Sequence, residues 1–366
     1  MTERGGWYDP QVFPELRDGP PWVMEEMIAS QPDVLERIAS GADTAATALT
    51  LRGKGPLEVV GCGTSEHAAM GIAAMLTEAG APASPRQALE AAADPAGGGA
   101  VLAVSHEAAT WATGQAMMAA HSAGARVALV TATPDGPLTA HADAVLATPA
   151  RDRSWCHTVG YSSPLAAGLA LTARMGGPPV PGGAVAGLVS RGIANRPQAA
   201  AAAAELAGCS RLVTVASGAD RVSARELALK IEEAAHLPTV MRDLETFLHG
   251  HLPAEGESTG LVLIACDRRP DELIAGRART LLRAAARVGI RCAVISTQGW
   301  DGLATAGEIP APATPDLPAA AAALLGAAAP LQLLTLELAL ARGTNPDLIR
   351  REQTAYREAA AIVEGS

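Results

Sequence analysis

Lys230 and Glu233, in the segment ARELALKIEEAAH, stand three residues apart and so share one helix face. There an ammonium can keep a partly buried carboxylate ionised for work as a base near neutral pH. Spacing alone does not separate such a pair from ordinary surface charges. Other segments concentrate hydroxyls, glycine and imidazole: CGTS (Cys62, Gly63, Thr64, Ser65), SHEAAT (Ser105, His106, Glu107, Ala108, Ala109, Thr110) and FLHGH, which carries His249 and His251. His67, His106, His157, Cys62 and Cys156 are metal-ligand types. No H-E-x-x-H or C-x-x-C spacing joins them, so no metal is expected, and His106 and His157 read as hydrogen-bonding groups lining a pocket. Without G-x-G-x-x-G and a downstream acid, CGTS is not a dinucleotide fingerprint, and no cofactor is expected.

The elements that must hold these groups follow from periodicity. An apolar run from Leu57 leads through CGTS into a helical pattern ending at Gly80. A second run (100–105) leads through HEAAT into a helix closing near Gly124, RVALVTA is the next strand, and 144–148 a last short one. MGGPPVPGGAVAGLV reads as a linker. The plan then recurs: RLVTVAS, a helix over ADRVSARELALKIEEAAH, a short TVMR, GLVLIAC, a helix through Arg287, RCAVIST, a long helical segment over 318–341 and a polar tail. Strands alternating with helices predict an α/β fold of two domains, each a doubly wound parallel sheet in an αβα sandwich. The expected division is an N-terminal segment and opening helix (1–44), a first domain (45–178), a second (190–340) and a C-terminal tail over the active site (341–366). Ligands gather outside the carboxyl ends of parallel strands, which singles out the loops starting at Cys62, Ser105, Ser217 and Cys266.

A length of 366 residues suits two domains. With 49% apolar, 18% charged and only 3% aromatic residues the chain is globular, and its cores must be built from Ala, Leu and Val. The alanine-rich stretches 199–207 and 319–329 read as close-packed helices. A formal charge of −10 without a Lys/Arg stripe argues against a nucleic-acid partner and for a small molecule. Five scattered cysteines fit a reducing compartment. The N-terminus has no apolar h-region and no unbroken run of 18 apolar residues occurs, so a cytoplasmic protein off the membrane is expected.

The order of motifs resembles the sugar isomerase (SIS) family, in particular the isomerase portion of glucosamine-6-phosphate synthase and related deglycases and deaminases of amino-sugar phosphates. WVMEEMIASQPDVLERI resembles that family's opening segment, with its Met-x-x-Glu-Ile-x-x-Gln-Pro pattern, and CGTS its first ligand loop. ARELALKIEEAAH followed by ETFLHGHLP is similar to its ALEGALKLKEISY and later HGP turn, at the same Glu-to-His spacing. The similarity runs from about Val23 to Ala355, and the glutaminase portion is absent. The resemblance implies that Glu233 shuttles a proton between C1 and C2, that Lys230 helps hold the substrate, and that His249 assists ring opening, often across a subunit boundary. It further implies substrate contacts from Cys62, Gly63, Thr64, Ser65, Ser105, His106, Glu107, Thr110, Thr158 and Gln353, in a homodimer with its site at the subunit interface.

Three departures stand out. Where relatives read Ser-x-Ser-Gly-x-Thr, this chain has Glu107 for the central serine and Ala108 for the glycine. A carboxylate about 4 Å from a phosphate costs on the order of 4 kcal/mol at an effective dielectric of 20, so the loop suits a sugar phosphate poorly. Val159 replaces a cation after Thr158. The tail lysine of relatives falls at about Thr354, beside Gln353, and Arg350 or Arg351 cannot form a Schiff base in its place. The expected function is therefore a sugar or amino-sugar isomerase working through an enediol or enolamine on a substrate whose far end is not a simple phosphate. The alternatives are a deaminase or deglycase acting on a sugar phosphate, and a sugar sensor that has lost turnover.

Overall fold

The apolar runs become strands, and all of them pair in parallel. The computed structural model describes residues 17–53, 55–267 and 271–364, so the first sixteen residues of the N-terminal segment lie outside the described residues. In it β1 (Leu57–Gly61), β2 (Ser84–Gln87), β3 (Ala100–Val104), β4 (Arg126–Thr131) and β5 (Ala144–Ala147) form one sheet of order β2-β1-β3-β4-β5. A second sheet, β10-β9-β8-β6-β7, is built from β6 (Arg211–Ala216), β7 (Thr239–Asp243), β8 (Thr259–Ala265), β9 (Arg291–Ser296) and β10 (Gly307–Pro310). Counted from its own first strand, the second sheet has the order of the first. Flanking them are α1 (Val23–Gly41), α2 (Ala45–Leu51), α3 (Thr64–Glu78), α4 (Ala88–Ala93), α5 (Trp111–Ser122), α6 (Val159–Arg174), α7 (Ala184–Ile193), α8 (Arg196–Leu206), α9 (Asp220–Ala235), the single turn α10 (Leu244–Thr246), α11 (Asp271–Arg287), α12 (Ala319–Arg342) and α13 (Thr354–Glu364).

Strand alternation sends each sheet's side chains to two cores. Val60, Val101, Ala103, Val127 and Leu129 meet α4 and α5 on one face of the first sheet, and Val213, Val215, Leu261, Leu263 and Val294 meet α11 on one face of the second. The opposite faces share one continuous core through α3, α6, α8, α9 and α12. The linker expectation needs correction. Residues 184–189 open α7, which buries Val185, Leu188 and Val189 against α1 and α12, because an apolar stripe follows the Gly-Pro punctuation. α12 is long and apolar enough by composition to cross a membrane, yet 89% of its apolar window is buried inside the protein, as in a core helix. Its alanines let α8 and α9 approach closely, as expected for those stretches.

Asp347, fully buried in the tail beyond α12, fixes the entrance to the fold. Its two oxygens accept the N–H groups of Val23 (2.9 Å) and Met24 (2.8 Å), satisfying the start of α1, and Ser154 Oγ donates to it at 2.8 Å. One carboxylate thus ties the tail and the opening helix to the loop before α6.

Candidate active site

In a 2-1-3-4-5 sheet the connections diverge between the first and third strands, opening a crevice at their carboxyl ends. The two sheets treat this crevice differently. In the second, Asp220 accepts the N–H groups of Cys266 (2.7 Å) and Asp267 (2.8 Å), and Asp267 accepts that of Ala219 (3.1 Å). The chain's own carboxylates thus occupy the loops after β6 and β8, the ones starting at Ser217 and Cys266. Among the described residues no carboxylate takes the backbone N–H groups of the loops after β1 and β3, which makes the switch point of the first sheet the candidate crevice.

α9 lies across that crevice. Glu226, Lys230 and Glu233 fall at i, i+4 and i+7 and form one polar row. Lys230 Nζ is 2.5 Å from Glu233 Oε2 and 3.9 Å from Glu226 Oε1, and both the ammonium and Glu226 are about 1% exposed. Glu226 Oε2 in turn lies 2.7 Å from His67 Nδ1, while Thr64 Oγ1 donates to Oε1 at 3.4 Å. Burial alone would pull Lys230 down, but Glu233 and Glu226 outweigh it and hold the ammonium above the usual lysine value. Burial pushes the Glu233 carboxyl up, against the opposing pull of Lys230. Glu233 remains 25% exposed, the member of the row that a ligand can reach.

The loops have local causes. Gly63 opens α3 with φ of 58°, a left-handed conformation that favours glycine, and faces Leu229 of α9. A Cβ at Gly61 would meet the backbone of Ser65 at 2.5 Å, which fixes glycine at the end of β1. Ser105 Oγ lies 3.4 Å from Thr110 Oγ1, and Thr110, at the N-cap of α5, makes no side-chain cap bond. Ala108 adopts φ of 49°, so the loop keeps a glycine-like backbone although the residue has changed. Glu107 turns outward: its side chain is 58% exposed and lies 3.9 Å from Arg151, so the pair brings no net charge to the loop.

The loop before α6 meets the loop after β3 at His106. Asp152 Oδ2 accepts the N–H groups of Thr158 (2.5 Å) and Gly160 (3.0 Å), its own N–H donates to His106 Nε2 at 2.9 Å, and burial raises its carboxyl. Thr158 is fully buried; its hydroxyl faces Asp152 and its carbonyl accepts from Gln332 at 3.1 Å, so it shapes the loop from inside. Gln332 also accepts from Gln31, which accepts from Ser162, tying α1, α6 and α12 behind it. Cys156 is buried, with a thiol raised well above its usual value by that burial, so it stays protonated beside Lys230 and Glu233. The rings of His106 and His157 sit 5.1 Å apart.

The remaining sequence-derived residues lie elsewhere. His249 is exposed on a π-turn (Phe247–His251) after α10, beyond the edge strand β7. Gln353 and Thr354 are exposed at the start of α13. Arg350 stacks on Tyr356 and Arg351 on Trp155, next to Cys156. Cys62 is partly buried, near the amide of Gln87, and Ser65 partly exposed. Glu226 and Asp152 join the site without an expectation from the sequence, and His67 and Cys156, noted there only as metal-ligand types, join it as well. The i, i+4, i+7 spacing marks Glu226, and His67 lies one turn after Thr64; nothing in the sequence marks Asp152, and Cys156 is marked only by its type.

Burial holds both His106 and His157 down at about 4, with each further depressed by a neighbouring positive group. A histidine with a lowered folded pKa contributes stability that is complete above its unfolded value, near 6.5, and is lost as pH falls toward 4. Full protonation costs up to about 3 kcal/mol per ring. The urea midpoint is accordingly expected to fall between pH 6.5 and 4, and a His106→Gln/His157→Gln variant to show a flatter acid limb. Identical limbs in the two proteins would remove these rings as the cause.

No family model matches the chain, and no curated protein matches it. Solved structures do. The C-terminal domain of glucosamine-fructose-6-phosphate aminotransferase from Francisella tularensis is 18% identical with a TM-score of 0.76, over 90% of this chain and 99% of that one. Glucosamine-6-phosphate deaminase from Thermotoga maritima is 18% identical with a TM-score of 0.71, over 89% and 97%. Tagatose-6-phosphate ketose/aldose isomerase from Escherichia coli is 21% identical with a TM-score of 0.73, over 90% and 95%. The resemblance read from the motifs is thus matched in three dimensions: the chain has the two-sheet α/β fold of SIS-domain sugar isomerases and deaminases.

Proposed function

We propose that this protein is an aldose–ketose type isomerase of a sugar or amino sugar, working through an enediol or enolamine with Glu233 as the base on carbon. The observation that carries this reading is the row Glu226–Lys230–Glu233, set by α9 across the candidate crevice of the first sheet. A sugar carbonyl enolises only if one group removes a proton from the adjacent carbon while positive charge or donors stabilise the oxygen. Glu233 is the reachable carboxylate, and the buried Lys230 ammonium beside it supplies the charge. The loop after β3 offers hydroxyls, backbone N–H groups and the neutral His106, while Glu107 and Arg151 cancel one another. That favours a sugar whose far end is uncharged. A second reading, a sugar phosphate held on the α5 N-terminus, is supported by Thr110 leaving the first N–H groups of that helix uncapped. His249, exposed on its turn, would serve ring opening from a second copy of the chain in a homodimer.

Heavy water separates these readings. Incubated with glucose, glucosamine and their 6-phosphates, the protein is expected to replace the C2 hydrogen by deuterium and to do so faster on the unphosphorylated sugars. Faster exchange on the phosphates would transfer the proposal to the second reading. Binding without any exchange would make the protein a sugar sensor and end the enzyme reading.

A further inference from the structure

His67 stands in the first turn of α3, after the loop that follows β1, with its side chain 11% exposed, and its Nδ1 is 2.7 Å from the buried carboxylate of Glu226. A carboxylate can only accept, so Nδ1 carries a proton, and in the neutral ring Nε2 is the atom left with a lone pair. Nε2 has no hydrogen-bond partner among the described residues. The polar row is therefore longer than α9 alone. It runs His67–Glu226–Lys230–Glu233, from the first half of the chain to the second, with a proton-transfer group at each end and opposite charges alternating between them. Glu226 orients the ring and stabilises an imidazolium when one forms, the arrangement by which a carboxylate makes a histidine an efficient base.

We propose that His67 is a second acid–base group of this site and carries the proton between the two substrate oxygens, while Glu233 carries the one between the two carbons. The assignment rests on the enolisation reading above. On an open-chain aldose, Glu233 takes the proton from C2 and the C2 electron pair forms the enediolate. His67 Nε2 takes the proton from the O2 hydroxyl and delivers it to O1. The C2–O2 bond becomes the ketone as Glu233 returns its proton to C1. One hydrogen has moved from C2 to C1 and one from O2 to O1, and both side chains end as they began. A single carboxylate cannot hold both protons at once, which is why the chemistry asks for two groups. Glu226 is then a positioning residue, since it reaches the reaction only through His67 and Lys230.

The test uses the intact protein in heavy water with glucose, glucosamine and their 6-phosphates, reading C2 deuteration in all four and, in the same samples, ketose formation from glucose and glucose 6-phosphate, which carry the O2 hydroxyl. A His67→Asn substitution keeps a donor where Nδ1 stood and removes Nε2. Ketose formation is expected to fall about 100-fold or more, while deuteration falls less than about tenfold, because the enediolate still forms but returns to its starting sugar. Glu226→Gln should shift the same ratio in the same direction by less. A ratio of deuteration to conversion unchanged from wild type overturns the role of His67, whatever happens to the absolute rates. Nitrogen-15 spectra of the histidines, independent of any substrate, must show His67 in the Nδ1–H form, and the Nε2–H form would overturn the proposal outright. If wild type deuterates none of the four sugars, the enolisation reading fails and takes the shuttle with it. If wild type deuterates and the ratio stays put, only the shuttle fails.

Discussion

Glu233→Gln is expected to abolish C2 proton exchange, by about a thousandfold or more, while leaving the protein folded and able to bind its sugar. The amide keeps the shape of the carboxylate and can still accept from Lys230, which lies 2.5 Å away, but it has no lone pair basic enough to take a proton from carbon. Stability points the same way. Burial raises the Glu233 carboxyl in the folded protein, so at neutral pH the folded state resists this charge more than the unfolded state does. Replacing it by a neutral isostere should change the unfolding free energy by less than about 1 kcal/mol, with Glu226 left as the counter-charge to Lys230. Exchange rates within tenfold of wild type in a folded variant would place the base on another residue. A fall in exchange matched by a loss of the folded state would leave catalysis unassigned, and this is why the melting curve must accompany the rate.

How far the sequence carries this picture depends on what each residue's type encodes. Strands β1, β3, β4, β6, β8 and β9 are buried on both faces, so each leaves an apolar run that can be read directly, interrupted only by Glu58 in β1 and Thr214 in β6. β2 (SPRQ) and β10 (GEIP) are edge strands, half open to solvent and carrying proline, so no apolar signal marks them. In the site, Lys230 and Glu233 were legible because helix periodicity is local. His67 and Glu226 are 159 residues apart in the chain and meet only because the two halves pack through a common core, a relation no spacing rule contains. Glu107 shows the opposite limit. Its charge argued for a pocket hostile to phosphate, but residue type does not say where a side chain points, and here it turns outward to Arg151. Ala108 adds a related lesson: residue type does not reveal a backbone angle, for this buried alanine stands in the left-handed region that favours glycine.

Lys230→Met should be the most destabilising single substitution in the site. The side chain is about 1% exposed, so methionine can fill most of its volume, and the loss is almost wholly one of charge. What remains is Glu226, equally buried, and Glu233, with no cation between them. Breaking a buried ion pair from one side costs roughly 3–5 kcal/mol, because the surviving charge has lost both water and partner. The penalty should be readable through its pH dependence. A carboxyl whose folded pKa is raised contributes stability that is present below its unfolded value and lost as pH rises through the folded one, and removing the ammonium takes away the pull that opposes burial at Glu233. The gap in unfolding free energy between wild type and variant is therefore expected to be widest near pH 7.5 and to narrow as pH falls below about 5. Acid loss from His106 is shared by both proteins, whereas Lys230 itself helps to depress His157, so that ring loses less in the variant and adds to the narrowing of the gap as pH falls. Should the single variant fail to fold, Lys230→Met/Glu226→Gln/Glu233→Gln, which removes the whole charged row, should recover most of the lost stability, since neutral groups of similar shape carry no desolvation penalty of that size. A gap below about 1 kcal/mol at pH 7.5, or a triple variant no more stable than the single one, would show that Lys230 is not the charge that holds this row together.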